Sequence, residues 1–271
     1  MWFELAIVMF IQFHLMATVY VVWMHRGYQH HLFEFHPAVN QVCRFLMWTI
    51  GWGTHPTWMK VAAGTHRHHH AHPDSDQDPH SPHTIPYKGL YYSDEYNPFY
   101  KHTSNEDLMK LAPDIPVFDD WMQKNIYCRF TQIPFKISGH EYEFPLGAVA
   151  FGLFYAYFFG WIGFVAGFCW MFVLRIAVLG VAVSLSHLWG YTHPERNNVD
   201  PNDRSVNMMP WALLLAGGEL HCNHHINNLA MNDRVRWFEF DLGYVYIKIL
   251  EFLGLATIRY DIVVQHSSLR K

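Results

Sequence analysis

The chain has 271 residues, of which 51% are hydrophobic, 17% aromatic and only 15% charged, with a net charge of −4 at pH 7. So much apolar surface excludes a disordered chain, and four scattered cysteines without a CxxC spacing exclude a disulfide scaffold. The slightly acidic balance leaves no basic face for nucleic acid, so no nucleic-acid partner is expected.

Met1 to Met24 is apolar with Glu4 as its single charge. A membrane crossing takes about 20 apolar residues, so one span is expected over 2–23. Arg26 follows it instead of a small-residue cleavage site, which argues against a signal peptide. The stretch Val39–Gly64 is also apolar but holds Arg44 and Lys60. It is expected to lie on the membrane face as a helix. Pro73–Pro116 is rich in Pro, Asp, Asn, Ser and Tyr and is expected to be an irregular loop. The acids around it, Asp74, Asp76, Asp78, Glu106, Asp107, Asp114, Asp119 and Asp120, are expected to form a solvated face. Between Glu143 and Glu195 the single charge is Arg175. That run fits two spans, 145–161 and 164–186, joined by a tight turn near Gly160–Gly163, with Arg175 snorkelling or pairing inside the bundle. Phe238–Leu255 alternates apolar pairs with Asp241, Lys248 and Glu251 and reads as an amphipathic helix.

The charges set the expected topology. Of the 19 lysines and arginines, all but Arg175 fall in 25–143 or 188–271. By the positive-inside rule both segments face the cytoplasm and the N-terminus lies outside. The fold class expected is therefore all-α: one domain over 1–271, with a stem of about three spans and a cytosolic helical cap. The location is an integral membrane protein, and the bacterial inner membrane is expected.

Histidine is the outlier, at 21 residues. His14, His55, His102, His140 and His266 are isolated and read as ordinary positions. The rest fall in three groups. The first holds His25, His30 and His31, with His36 nearby. The second holds His66, His68, His69, His70 and His72, followed by His80 and His83. The third holds His187, His193, His221, His224 and His225. Two groups contain HxxHH, and on a helix positions i, i+3 and i+4 share a face, so three imidazoles can converge on metal. Two such triplets, the His25–His30 pair and His187 make nine imidazoles, enough for two ions. Zinc, copper, iron and nickel all suit imidazole.

These residues resemble the membrane-bound fatty acyl desaturases, and most of all the bacterial acyl-CoA desaturases of the stearoyl-CoA type. The likeness rests on His25–His30, on His66-Arg67-His68-His69-His70 with Asp78-Pro79-His80-Ser81-Pro82, and on His187-Leu188-Trp189-Gly190-Tyr191. It rests also on Gly218-Glu219-Leu220-His221-Cys222-Asn223-His224-His225 and Trp237-Phe238-Glu239-Phe240-Asp241-Leu242-Gly243. The resemblance implies two iron ions held by His25, His30, His66, His69, His70, His187, His221, His224 and His225. Around these ligands it places Val183, His80, Asp78, Glu219 and Asn223. It implies oxygen-dependent removal of two hydrogens from a fatty acyl chain carried as a thioester, on coenzyme A or acyl-carrier protein. Membrane lipid is the medium. One departure stands out: Val183 occupies a position where much of the family has asparagine.

No haem-binding segment and no ferredoxin-like cysteine set is visible, so electrons are expected from a separate donor of the ferredoxin, rubredoxin or cytochrome b5 type with its reductase. The rival activities on such a scaffold are an acetylenase or terminal desaturase and a hydroxylase on carrier-protein substrates. A zinc hydrolase or a metal-binding membrane protein is a more distant alternative. Nine imidazoles exceed the three or four protein ligands zinc uses, and the histidines lie outside the spans.

Overall fold

The computed structural model describes residues 1–83, 103–128, 132–137, 140–178 and 182–259. The expectations for His102, His266 and the centre of the 73–116 loop lie outside the described residues, as do those for the side chains of Arg175 and His140.

The fold is mostly helical. Helix α1 (Trp2–Thr18) runs without a break into a π-helix, Val19–Gln29. After β1 (Phe33–Phe35) come α2 (Pro37–Thr49) and α3 (Trp58–Ala71). Next are α4 (Asn105–Leu111) and the hairpin β2 (Gln132–Ile137) and β3 (His140–Pro145). The long apolar α5 (Leu146–Ile176) leads to two short helices, α6 (Ala182–Leu185) and α7 (Arg196–Val199). The last part holds β4 (Trp211–Ala212), α8 (His221–Ile226), β5 (Phe240–Asp241), α9 (Leu242–Phe252) and β6 (Ala256–Ile258).

Among the described residues, two helices are long and apolar enough to cross a membrane, Trp2–Gln29 and Leu146–Leu174. The outer half of α1 is apolar on all sides, and Phe3, Phe10 and Ile11 are exposed. From Met16 onward the helix is buried instead. A helix apolar all round needs an apolar surround.

The second long helix folds back on itself. Gly160 has φ 65° and ψ −155°, a conformation open to glycine and costly for other residues. Beyond it, the site a Cβ would take on Gly163 lies 2.4 Å from the Tyr155 carbonyl oxygen, and that on Gly167 lies 2.6 Å from the Tyr155 ring. A straight helix would hold residues 155 and 167 about 18 Å apart. The expected turn near Gly160–Gly163 is therefore found. Of the span expected over 164–186, α5 carries the part to Ile176 and α6 begins at Ala182; residues 179–181 between them lie outside the described residues.

Val39–Gly64 is likewise not one helix. It divides into α2 and α3 because Gly51 and Gly53 take positive φ and Pro56 follows. The short strands also depart from an all-α chain. β1 pairs antiparallel with β6, tying the exit of the π-helix to the segment after α9. β4 pairs parallel with β5. Two- and three-residue strands carry too little periodicity to be read from sequence. α9 matches the amphipathic helix expected there: Gly243 and Ile247 are buried while Ile249 and Phe252 are exposed.

α3 and α4 pack closely where Gly64 meets Leu108, since a Cβ on Gly64 would fall 1.9 Å from the Leu108 carbonyl oxygen. That contact fixes the helix that carries the second histidine group.

Candidate metal centre

The nine expected ligands come from four places: the π-helix, α3, the turn after α6, and α8. Each is built for its spacing. His25 and His30 are five apart, which on an α-helix would turn them to different faces. The π-helix closes i→i+5 hydrogen bonds, and the His30 N–H donates to the His25 carbonyl at 3.0 Å. The two rings therefore fall on one side, with centroids 4.8 Å apart. His66, His69 and His70 share the buried face of α3, while His68 and His72 stack on its other side. α8 does the same with His221, His224 and His225.

The rings separate into two sets. His25, His30, His66, His70 and His224 form one, and His69, His187, His221 and His225 form the other; within each set the donor atoms lie within 4.8 Å of one another. Both HxxHH triplets are thus divided. α3 sends its i,i+4 pair to the five-ring set and His69 to the other, and α8 sends its i,i+4 pair to the four-ring set and His224 across.

The donor geometry fits metal. Nε2–Nε2 separations are 2.8 Å for His30–His66, 3.0 Å for His66–His70, 3.0 Å for His224–His30 and 3.2 Å for His224–His70. In the four-ring set they are 3.2 Å for His69–His225 and 3.0 Å for His187–His221. Two nitrogens at right angles around one ion, each bonded at about 2.1 Å, would be about 3.0 Å apart.

The opposite edges of the rings reinforce this. His69 Nδ1 donates to both oxygens of Asp78 at 2.9 Å, and His187 Nδ1 donates to Asp74 Oδ2 at 2.8 Å. His225 Nδ1 lies 3.4 Å from Asp203 Oδ2. His224 Nδ1 lies 3.7 Å from Asp233 Oδ1, and neither atom has a hydrogen bond. With Nδ1 carrying the proton, Nε2 presents a lone pair, and converging lone pairs call for a cation between them. Burial agrees: it is the main reason that His30, His66, His70, His221, His224 and His225 are held well below the ordinary imidazole range. Burial also opposes charge on His69, but the Asp78 carboxylate overrides it and raises that ring. Asp78 is driven up by burial and down by His69 and its other donors, and settles well below its usual value.

Asp74 and Asp78 are therefore not part of a solvated face. Both are buried, and they hold the rings of His187 and His69. Asp114 and Asp120 are engaged too, with Arg67 and Arg44. Sequence reading missed Asp74, Asp203 and Asp233 in this role, because nothing local to them signals a partner histidine that lies nine, 22 or 113 residues away and meets them only through the fold. Asp233 is itself held by Arg26, at 2.7 Å, and Arg26 also pairs with Asp241 at 2.9 Å. Of the other expected neighbours, Asn223 braces α8 through Asn207, Glu239 and the Asp233 carbonyl. Glu219 accepts from the backbone N–H groups of Leu214 and Leu215 rather than from a ligand ring.

Val183 and His80 meet at a small pocket that is partly open to the outside. His25, His66, His80 and His221 form its polar end, and Ala17, Val21, Val178, Ala182, Val183 and Leu215 its apolar walls. Ser186 also lines it, but its hydroxyl donates to the Val183 carbonyl at 2.6 Å.

The comparisons agree with this geometry. The family model for fatty acid desaturases matches residues 2–255. The chain is 32% identical to an sn-1 stearoyl-lipid 9-desaturase of Anabaena variabilis, over 72% of this chain and 62% of that one. It is 28% identical to a hex-5-enoyl-[acyl-carrier protein] acetylenase of Moorena producens, over 87% of this chain and 70% of that one. To an acyl-CoA C20 Delta5-desaturase of Anemone leveillei it is 28% identical, over 74% and 56%. The chain thus spans between about half and seven tenths of the length of these relatives. With nine histidines converging in two sets and a family match along nearly its whole length, the chain belongs to the fatty acid desaturase family.

Proposed function

We propose that this protein is an oxygen-dependent acyl desaturase, an oxidoreductase of lipid metabolism embedded in the membrane as one domain. The observation that carries the reading is the meeting of two convergent imidazole sets with an apolar cavity. His25, His30, His66, His70 and His224 would hold one iron ion, and His69, His187, His221 and His225 the other. When bound, the iron pair supplies oxygen activation and the oxidising power to break unactivated C–H bonds. The balance is one acyl –CH2–CH2– unit, one O2, two electrons and two protons, giving –CH=CH– and two waters.

The chain's own residues do the rest. Ala17, Val21, Val178, Val183 and Leu215 hold apolar chain against the ring edges and keep water from it. Asp74, Asp78 and Asp203 fix the tautomer and direction of their rings, so that Nε2 faces inward. In this reading the stem crosses the membrane three times, counting each arm of the α5 hairpin, and the site faces the cytoplasm. The substrate is a fatty acyl thioester on coenzyme A or carrier protein, and electrons arrive from an external ferredoxin-, rubredoxin- or cytochrome b5-type donor. A second reading, an acetylenase on the same scaffold, is favoured by the long alignment with the Moorena enzyme, which covers 87% of this chain.

Expression in a host without desaturases, followed by mass spectrometry of its lipids and metal analysis of the purified protein, tests both readings. New double bonds with two irons per chain are expected, and triple bonds would select the second reading. Iron-loaded protein that leaves every chain saturated would sink both.

A further inference from the structure

The two faces of the helical body differ in how their cations are used. Toward α4, most cations are matched: Arg67 pairs with Asp114, Lys110 with Asp107, Lys124 with Asp119 and Arg44 with Asp120, while Lys60 donates to the Pro113 carbonyl. Around α7 they are not. Arg196, Arg204, Arg234 and Arg236 have no carboxylate at ion-pair distance among the described residues. Arg196 donates to the Asn197 side chain and the Ser205 carbonyl, Arg234 to the carbonyls of Arg236 and Trp237, and Arg236 to that of Thr192. The acids of this region are turned inward, with Asp203, Glu219, Asp233 and Glu239 all buried; Glu195 and Asp200 remain at the surface.

At Arg204 this surface lies over the four-ring set, and Arg234 follows Asp233, the acid at His224 of the five-ring set. The Arg204 backbone N–H donates to Asp74 Oδ2 at 2.8 Å, and that same oxygen accepts from His187 Nδ1 at 2.8 Å. Next to it, Asp203 faces His225. One carboxylate therefore separates an exposed residue from a ligand ring. Arg236 is set in place over the Tyr191 ring, 5.2 Å from its centroid.

We propose that Arg196, Arg204, Arg234 and Arg236 form the docking surface for an acidic one-electron carrier protein. The proposal rests on the reading of the site as a consumer of electrons. Each docked carrier is oxidised by one electron and the site reduced by one, so two dockings serve each double bond. Small, charged contact areas are typical of electron-transfer encounters, and a surface of one sign raises their rate. A phosphate-bearing lipid would satisfy the arginines as well, but nothing in lipid binding requires Arg204 to sit one carboxylate away from His187.

The test uses the full chain in phosphatidylcholine nanodiscs and an acidic two-iron plant-type ferredoxin as probe. In Arg204→Glu/Arg234→Glu the Kd for ferredoxin should rise about tenfold or more and lose most of its salt dependence. Arg204→Lys/Arg234→Lys should bind normally, and Asp119→Lys on the opposite face should not weaken binding. If the double glutamate variant does not fold, Arg204→Gln alone is read in the same way. Unchanged ferredoxin affinity overturns the proposal. So does intact ferredoxin binding with weakened attachment to phosphatidylglycerol vesicles, which assigns the surface to lipid headgroups. Wild-type protein that oxidises ferredoxin yet forms no unsaturated product would sink the desaturase reading and leave the docking surface standing.

Discussion

The five-ring and four-ring sets solve the same problem with different means. Behind the four-ring set stand three carboxylates, Asp78, Asp74 and Asp203, each at a ligand's Nδ1. Behind the five-ring set the corresponding acid is Asp233, which sits 3.7 Å from His224 and is already paired with Arg26. One set therefore has fewer rings but stronger, charge-supported donors, and the other compensates with a fifth neutral ring. Imidazoles that donate to carboxylate are the more basic ligands. The comparison teaches that equal ligand types need not make equal sites, and that the more positive ion is better accommodated where the three aspartates stand.

The largest effect that sharpens this contrast comes from removing a ring. His221→Ala leaves three rings in its set, and His70→Ala leaves four in the other. Both should abolish activity, but metal analysis should show the greater metal loss for His221→Ala. Equal retention in both would remove the distinction. Removing the carboxylates is next in size. Asp78→Asn and Asp74→Asn should each lower metal affinity about 10- to 100-fold. Asp233→Asn should cost less, because Arg26 already spends that acid's charge; competition with a chelator measures all three.

A pH prediction follows from the buried rings. His30, His66, His70, His221, His224 and His225 have folded values well below the unfolded one of about 6.5. As pH falls through 6.5 the unfolded chain takes up protons that these rings refuse, so the metal-free fold loses stability. His69, raised by Asp78, acts oppositely: its contribution is full below 6.5 and fades as pH rises through its folded value. Asp233, which burial raises to about 7, acts with His69, and six rings against these two still leave acid destabilising. The Tm of metal-free protein should fall between pH 7.5 and 5.5, and a rising Tm would contradict it. The smallest effect is expected at Val183, where asparagine would add a hydrogen-bonding group at the cavity wall. Val183→Asn should change metal retention, or product formed per O2 consumed, by about threefold to tenfold, the worth of one net hydrogen bond. No change in either would make Val183 ordinary packing.

The nine converging histidines were legible in the sequence because HxxHH on a helix sets its rings on one face. The hairpin at Gly160 was legible for a similar reason, since a long uncharged run must turn and glycine permits it. The rest was hidden by distance or by backbone. Spacing placed His25 and His30 together but said nothing of the π-helix that makes five residues one turn. Asp74 looked like a surface acid, yet the fold buries it against His187. Asp203 and Asp233 meet their histidines through tertiary packing. Nor does HxxHH reveal that its three rings part company; that depends on where the second helix lies.

The crossed donation of α3 and α8 has a consequence for how the centre fills. Each helix serves both sets, so an ion entering either one fixes the position of both helices and with it most of the rings awaiting the other ion. The ordering entropy is then spent largely at the first step, and the second ion meets a preformed pocket. Cooperative loading is the expected outcome. A stepwise titration of metal-free protein yields empty and full molecules in preference to half-filled ones, with a Hill coefficient above one, and by reciprocity losing one ion loosens the other.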